Sequence, residues 1–404
     1  MFKSFLYRIL ERRHFWRQAS FGEVAELYAS RTLRLTAMHV GAGFSTVFLY
    51  KEGVPLTYVI CLWALVYLAK ALLAPLAGLL VAKIGTPRGT MISNILYIPA
   101  MFALGLTDEF GMNAVTVFAV CMALSVTLYE VCYFVEFSIV KNPLHAGKEI
   151  GFMNILEKIA VSISPVLGGF IALQFGPQIT MWVASVLFAI AAVPVLKGPT
   201  RSEQQSRVTL KGFPWKMALP SMLARAANGF DIVASSVVWG LFVAIVIFPD
   251  SDNNIYVILG ALSSVTVIVA MVASIAYGKV IDRNRGGNLL KIGVVSNAFV
   301  HLSRAFASTP FDIFGVNIVN EAATTAQNMA FLRGMFDTAD LSGHRLVYLV
   351  GAEAMNALGA MLACILMIVC EVYVGGSAGF RVFFVIASVA ILGNGLARFP
   401  IYRK

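Results

Sequence analysis

Apolar runs of about 20 residues, the length a helix needs to cross a bilayer, follow one another along the whole of this 404-residue chain. No soluble core could hide that much apolar surface. The chain is 59% hydrophobic and only 13% charged, where a soluble globular domain carries about 25% charged residues. Its mean hydropathy is +0.80. A β-barrel would alternate apolar and polar residues in short segments, and such segments are absent. The sequence therefore predicts an all-α integral membrane protein.

The runs divide into twelve transmembrane helices. The longest polar break, Lys197–Lys216 with Arg201, Glu203 and Arg207, separates six from six. The expected organisation is a cytoplasmic tail over 1–32, a six-helix bundle over 33–196 and a linker over 197–216. A second bundle follows over 217–398 and a short end over 399–404. The tail carries Phe2, Phe5, Leu6, Ile9 and Leu10 at helical spacing beside Lys3 and Arg8. That pattern fits either an interfacial helix on the inner leaflet or a solvated tail. Its basic residues run on without a cleavable apolar core, so it is not a secretory signal.

The net charge of +10 invites a nucleic-acid partner, but its distribution follows the positive-inside rule instead. Of 31 lysines and arginines, only Lys51 and Arg381 fall in the loops of one side. Lys70, Lys158, Arg225 and Arg304 fall inside spans, and the rest crowd the other side. Both termini are thus expected in the cytoplasm. The five cysteines all lie within apolar runs, which reads as small buried residues rather than disulfides or ligands.

Two basic loops sit where apolar runs end: Gly78-Leu-Leu-Val-Ala-Lys-Ile-Gly-Thr-Pro-Arg88 and Gly278-Lys-Val-Ile-Asp-Arg-Asn-Arg285. Their spacing is half the chain, as if one unit were written twice. Two six-helix halves, a basic central loop and these paired motifs resemble the major facilitator superfamily of secondary transporters. That family's loop reads Gly-x-x-x-Asp-Arg/Lys-x-Gly-Arg-Arg/Lys. Gly78, Lys83, Gly85 and Arg88 match, with Ala82 in place of the aspartate, whereas Gly278, Asp282, Arg283 and Arg285 keep it. The resemblance implies a gating role for both loops.

On the fifth helix, Gly151, Ala160, Ser164, Pro165, Gly168 and Gly169 are similar to the Gly-x8-Gly-x3-Gly-Pro-x2-Gly-Gly pattern of the family's proton-driven exporters. Small residues at this period also make a smooth packing face. The arginine that such exporters carry in the fourth helix is absent, and Glu130 and Glu136 stand on that helix instead.

Charges inside hydrocarbon are costly and mark function or pairing. Asp231, Glu130 and Glu321 fall in the seventh, fourth and tenth helices and His39 in the first, the helices that line the central cavity in the resembled fold. They are the candidate substrate and proton groups, with Lys70 and Arg225 setting their proton affinity. Lys70 is expected to pair with a carboxylate on another helix, and Glu130 with Lys158. Glu353 with Asn356 reads as a buried hydrogen bond or a duplicated polar position. His301 and Arg304 read as interfacial. Tyr129, Tyr133 and Phe134 either wall a bound cation or pack helices.

No phosphate-binding loop, metal cluster or nucleophile–base arrangement is recognisable, which argues against an enzyme or an ATP-driven pump. The expectation is a monomeric multi-pass protein of the cell membrane that exports a small amphipathic or cationic molecule in exchange for protons. No cofactor is expected beyond the coupling proton. Import of a sugar or organic anion and lysolipid translocation are the alternatives.

Overall fold

The computed structural model describes residues 21–140, 146–196, 209–250 and 254–402. The segment 1–20, and with it the proposed interfacial helix, lies outside them. Among the described residues there are twelve long helical segments and no strand. The first half comprises α1 (Phe21–Val40, extended by Ser45–Lys51), α2 (Leu56–Ile84), α3 (Thr86–Leu104), α4 (Met112–Val140), α5 (Ala146–Phe175) and α6 (Pro177–Ala192). The second comprises α7 (Trp215–Ile232), α8 (Asn254–Val265, resuming as Val267–Val280), α9 (Gly286–Arg304), α10 (Pro310–Leu341), α11 (Arg345–Tyr373) and α12 (Gly376–Ile391). These are the two pseudo-twofold-related bundles of an all-α membrane fold.

By length and composition, eight stretches qualify to cross a membrane, one of them running through α8 and α9. Three helices fall short, and the reason is their polar load. α1 carries Arg31 and Arg34, α3 opens on Thr86, Pro87 and Arg88, and α10 carries Asp312, Glu321, Arg333, Asp337 and Asp340. The outward faces are apolar, with Leu72, Phe170, Val272, Phe299 and Val389 exposed, because lipid is their solvent.

The duplication is visible in the backbone. The α2–α3 turn needs a positive φ and has Gly85 at +82°. The α8–α9 turn has Asn284 at +58°, the one non-glycine residue with positive φ among the described residues. Asparagine is among the residues that tolerate this region best.

The halves meet along α2–α11 and α5–α8. The small residues of α5 explain the second seam. A side chain at Gly169 would meet the Tyr256 carbonyl at 2.6 Å, and one at Gly151 would meet that of Ser274 at 2.9 Å. From α8, a Cβ on Gly260 would lie 2.6 Å from the Pro165 carbonyl. Gly168 instead seats the backbone of α1 at Val40, while Ala160 and Ser164 are buried. In α2, Gly78 seats Val350 of α11.

Two boundaries differ from the sequence expectation. Residues 21–32, assigned to the tail, belong to α1, because Arg31 and Arg34 find polar partners inside the bundle and the helix extends to hold them. Residues 399–402, assigned to the short C-terminal end outside the bundle, fold back onto the second half. The Tyr402 hydroxyl donates to the Ala330 carbonyl at 2.8 Å, and the Phe399 ring fills the notch at Gly334.

Candidate functional site

The buried charges form four groups. In the first half, Arg34 is 1% exposed. It donates from Nη1 to Asn94 Oδ1 at 2.6 Å and from Nη2 to Ser125 Oγ at 3.1 Å. Its guanidinium lies 3.9 Å over the Tyr129 ring, a cation–π contact. One turn earlier, Arg31 donates to Glu157 Oε1 at 2.9 Å and stacks 4.1 Å over Tyr133. The Tyr133 hydroxyl donates to the same oxygen at 3.0 Å. Tyr129 and Tyr133 thus cover the chain's own arginines.

The second group spans the α2–α11 seam. Lys70 of α2 pairs with Glu130 of α4 and reaches Glu353 Oε2 of α11 at 3.6 Å. Arg225 of α7 donates to Glu353 Oε1 at 2.9 Å and lies 5.4 Å over Phe134 of α4. Asn228 donates to Asn356 Oδ1 at 3.5 Å beside it.

The third group is a pair: Lys158 of α5 and Glu321 of α10, Nζ to Oε1 2.5 Å. Their side chains are 25% and 12% exposed, against 4% and 2% for Lys70 and Glu353. Half-buried His39 lies within the field of Lys158, Arg31 and Glu157.

The fourth group is internal to the second half. Asp231 accepts from Asn297 Nδ2 at 2.7 Å, from Ser235 Oγ at 3.1 Å and from His301 Nε2 at 2.9 Å. Asn297 also donates to Gln327 at 3.1 Å. Arg304 donates to Ser235 at 2.9 Å and Asn320 at 3.0 Å and lies 4.9 Å from the Trp239 ring. Immediately after Asp231, α7 widens into two π-helical turns, Val233–Val238 and Val243–Ile247. Such turns in an α-helix frequently mark functional sites.

These placements correct several sequence expectations. Lys158 pairs with Glu321, not Glu130, because α5 turns it across the seam. Glu353 belongs to the Arg225 and Lys70 ion cluster rather than bonding Asn356. His301 and Arg304 are fully buried partners around Asp231 rather than interfacial residues. Asp231 is 5% exposed, enclosed by its own half, and Arg225 pairs away from it.

At the end carrying the basic loops, Asp282 Oδ1 accepts from the Gly147 backbone N–H at the start of α5, at 2.9 Å. The second-half loop thus holds the first half through a helix N-terminus, while Gly278 presses on the Gly147 carbonyl. The first-half copy has Ala82 at that position and meets α11 through the Gly78–Val350 contact alone among the pairs described above. Lys83, Arg88, Arg283 and Arg285 flank these loops. At the opposite end, Glu52 shares a hydrogen bond with Asp108. Partial burial and then the neighbouring carboxylate raise its pKa to about 7.

The family model for the Major Facilitator Superfamily matches residues 34–339. The chain belongs to this superfamily. It is a multi-pass membrane transporter and not an enzyme. Two solved structures share the fold. The human organic anion transporter MFSD10 superposes with a TM-score of 0.62 at 11% identity, covering 92% of this chain and 99% of that one. The Escherichia coli fucose:proton symporter FucP superposes with a TM-score of 0.66 at 12% identity, covering 93% and 98%. No curated protein sequence matches.

Proposed function

We propose that this member of the superfamily is a proton-coupled secondary transporter. It carries a small organic solute across the cell membrane by alternating access, with both termini in the cytoplasm and no metal or organic cofactor. The observation that carries the reading is the Lys158–Glu321 ion pair split between the two halves. Rocking of the halves breaks it, and a carboxylate that loses its cation in a low-dielectric site takes up a proton. Proton and movement are thereby linked at one bond.

An anionic or polar solute fits this site better than a cation, because breaking the cross-half pair frees Lys158 while Glu321 takes up the proton. The solved neighbours, one an organic anion transporter and one a proton symporter, support the same direction. Export of an organic cation is the second reading, favoured by the small-residue face of α5. That face also serves the α5–α8 seam, as any rocking carrier requires.

The test uses proteoliposomes under imposed pH gradients of either sign, with radiolabelled organic anions, sugars and organic cations. Solute accumulation that follows the gradient and collapses with a protonophore is expected. Gradient-insensitive flux of every transported solute would overturn the proton coupling. Cation movement opposite to the proton would establish the second reading.

A further inference from the structure

Resting on the proton-coupled reading above, we infer that Lys158 is the binding site for an anionic group on the substrate, with Glu321 as its resident stand-in. The substrate class is then a small organic monoanion such as a carboxylate or sulfonate, carried together with one proton.

The inference comes from asking which buried charges keep a partner when the halves separate. Glu157 stays with Arg31, and Lys70 stays with Glu130. Arg34 keeps Asn94 and Ser125. On the other side, Arg225 stays with Glu353. Asp231 keeps His301 and Asn297, and Arg304 keeps Ser235 and Asn320. Each of these pairings lies within one half. Lys158 and Glu321 alone among these groups have their ionic partner only across the seam; Glu321's further contact is the Thr325 hydroxyl of its own helix at 3.5 Å.

Opening therefore strands one cation on the first half and one carboxylate on the second, each without its ionic partner. Stranded buried charges are strongly disfavoured. An anion at Lys158 and a proton on Glu321 satisfy both at once. The exchange balances charge: the ion pair is neutral, and so are the anion–lysine pair and the protonated acid that replace it. Lys158 and Glu321 are also more accessible than the ions of the α2–α11 cluster other than Glu130.

The first half supplies surroundings suited to an anion. Half-buried His39 lies in the field of Lys158 and Arg31, which Glu157 partly offsets. Ionisable groups on other helices packed against α10 include Glu157 on α5, Glu130 on α4, Arg225 and Asp231 on α7, His301 and Arg304 on α9, Glu353 on α11, and, beyond these, Tyr277 and Lys279 on α8, Glu136 on α4 and Lys291 on α9. The first seven hold the partners named above.

The test measures thermal unfolding of the purified full-length protein from pH 5 to 8. The probes are benzoate, lactate, gluconate and benzenesulfonate, against glucose, benzyl alcohol and tetraphenylphosphonium. At least one anion should raise the midpoint, with apparent affinity falling tenfold per pH unit on the alkaline limb, as one linked proton requires. Lys158→Gln should abolish that shift. Glu321→Gln should retain it without the pH slope. The Lys158→Gln/Glu321→Gln pair, neutral and able to hydrogen-bond, should fold and lose both.

No stabilisation by any anion, or an anion shift unchanged in Lys158→Gln, overturns the inference. Anion binding through Lys158 with a flat pH profile would instead defeat the proton coupling on which it rests. PH-linked binding of glucose or tetraphenylphosphonium that survives Lys158→Gln would defeat this inference and leave that coupling standing.

Discussion

The two halves satisfy their buried charges in different ways. The first half uses full ion pairs and aromatic faces: Arg31 with Glu157 over Tyr133, and Lys70 with Glu130. The second half keeps one ion pair, Arg225 with Glu353, and gathers amides, a hydroxyl and an imidazole around a further carboxylate, with Asn297, Ser235 and His301 on Asp231 and Gln327 behind. Each solution is nearly closed within its own half. Bodies that move past one another without stranding charge need this, because an unpaired ion in a low-dielectric interior is expensive. The exception is the cross-half tie, Lys158–Glu321, reinforced by the longer Lys70–Glu353 approach.

The largest effect expected from breaking this pattern is inside the second half. Arg225→Ala leaves Glu353 with the neighbouring Glu130 and the more distant Lys70 and should cost about 3–5 kcal/mol, as removal of one partner from a buried pair does. Arg31→Ala, on a pair 17–22% exposed, should cost clearly less. Denaturant titration of both variants measures the contrast. Equal losses would mean that the two pairs do not differ in dryness.

Next comes the Asp231 hub. Asp231→Asn keeps the volume but swaps one acceptor oxygen for a donor that faces an amide or the imidazole. The loss should be about 1–3 kcal/mol, the cost of leaving one buried polar group unsatisfied. A variant as stable as the parent would contradict the described hydrogen-bond web.

The loop pair offers a smaller and more pointed comparison. Asp282→Ala removes a carboxylate from the N-terminus of α5 and should cost about 0.3–2 kcal/mol. It should also raise amide exchange in the first turn of α5. Ala82→Asp, which restores the residue that the second copy keeps, should stabilise contact with α11 by about 0.3–1 kcal/mol. No difference between the two substitutions would show that the copies are not used alike.

The smallest effect concerns Glu52. Its folded-state pKa stands at about 7, above the ordinary 4.5. The folded protein therefore binds the proton more tightly than the unfolded chain. The contribution is fully present below pH 4.5 and is lost as pH rises through 7. Glu52→Gln should flatten the fall in melting temperature across that window.

Much of the fold is legible in the sequence, because run length and the loop charges answer to the bilayer alone. The paired loops are legible for a similar reason: a turn that needs positive φ takes Gly85 in one copy and Asn284 in the other. The pairing of charges is less legible. Lys70 announces a partner by its isolation, and it has Glu130 and Glu353. Which carboxylate Lys158 meets depends on how α5 is rotated toward α10, and no spacing within one helix records that. Arg31 and Arg34 were hidden because a basic tail and a basic helix end read alike. A signal was present, however: no helix breaker stands between Gly22 and Gly41, so a helix covering both arginines was available. His301 and Arg304 share a helical face, which could have pointed to a common buried partner.

The most direct measurement is the distance between spin labels placed on the two halves near α5 and α10, in nanodiscs, for the parent and for Lys158→Gln/Glu321→Gln. If this pair is the tie between halves, its neutral replacement should populate a longer distance that the parent visits rarely. In the parent, the same distance should grow as pH is lowered. Distributions identical in the two proteins and at every pH would contradict the tie.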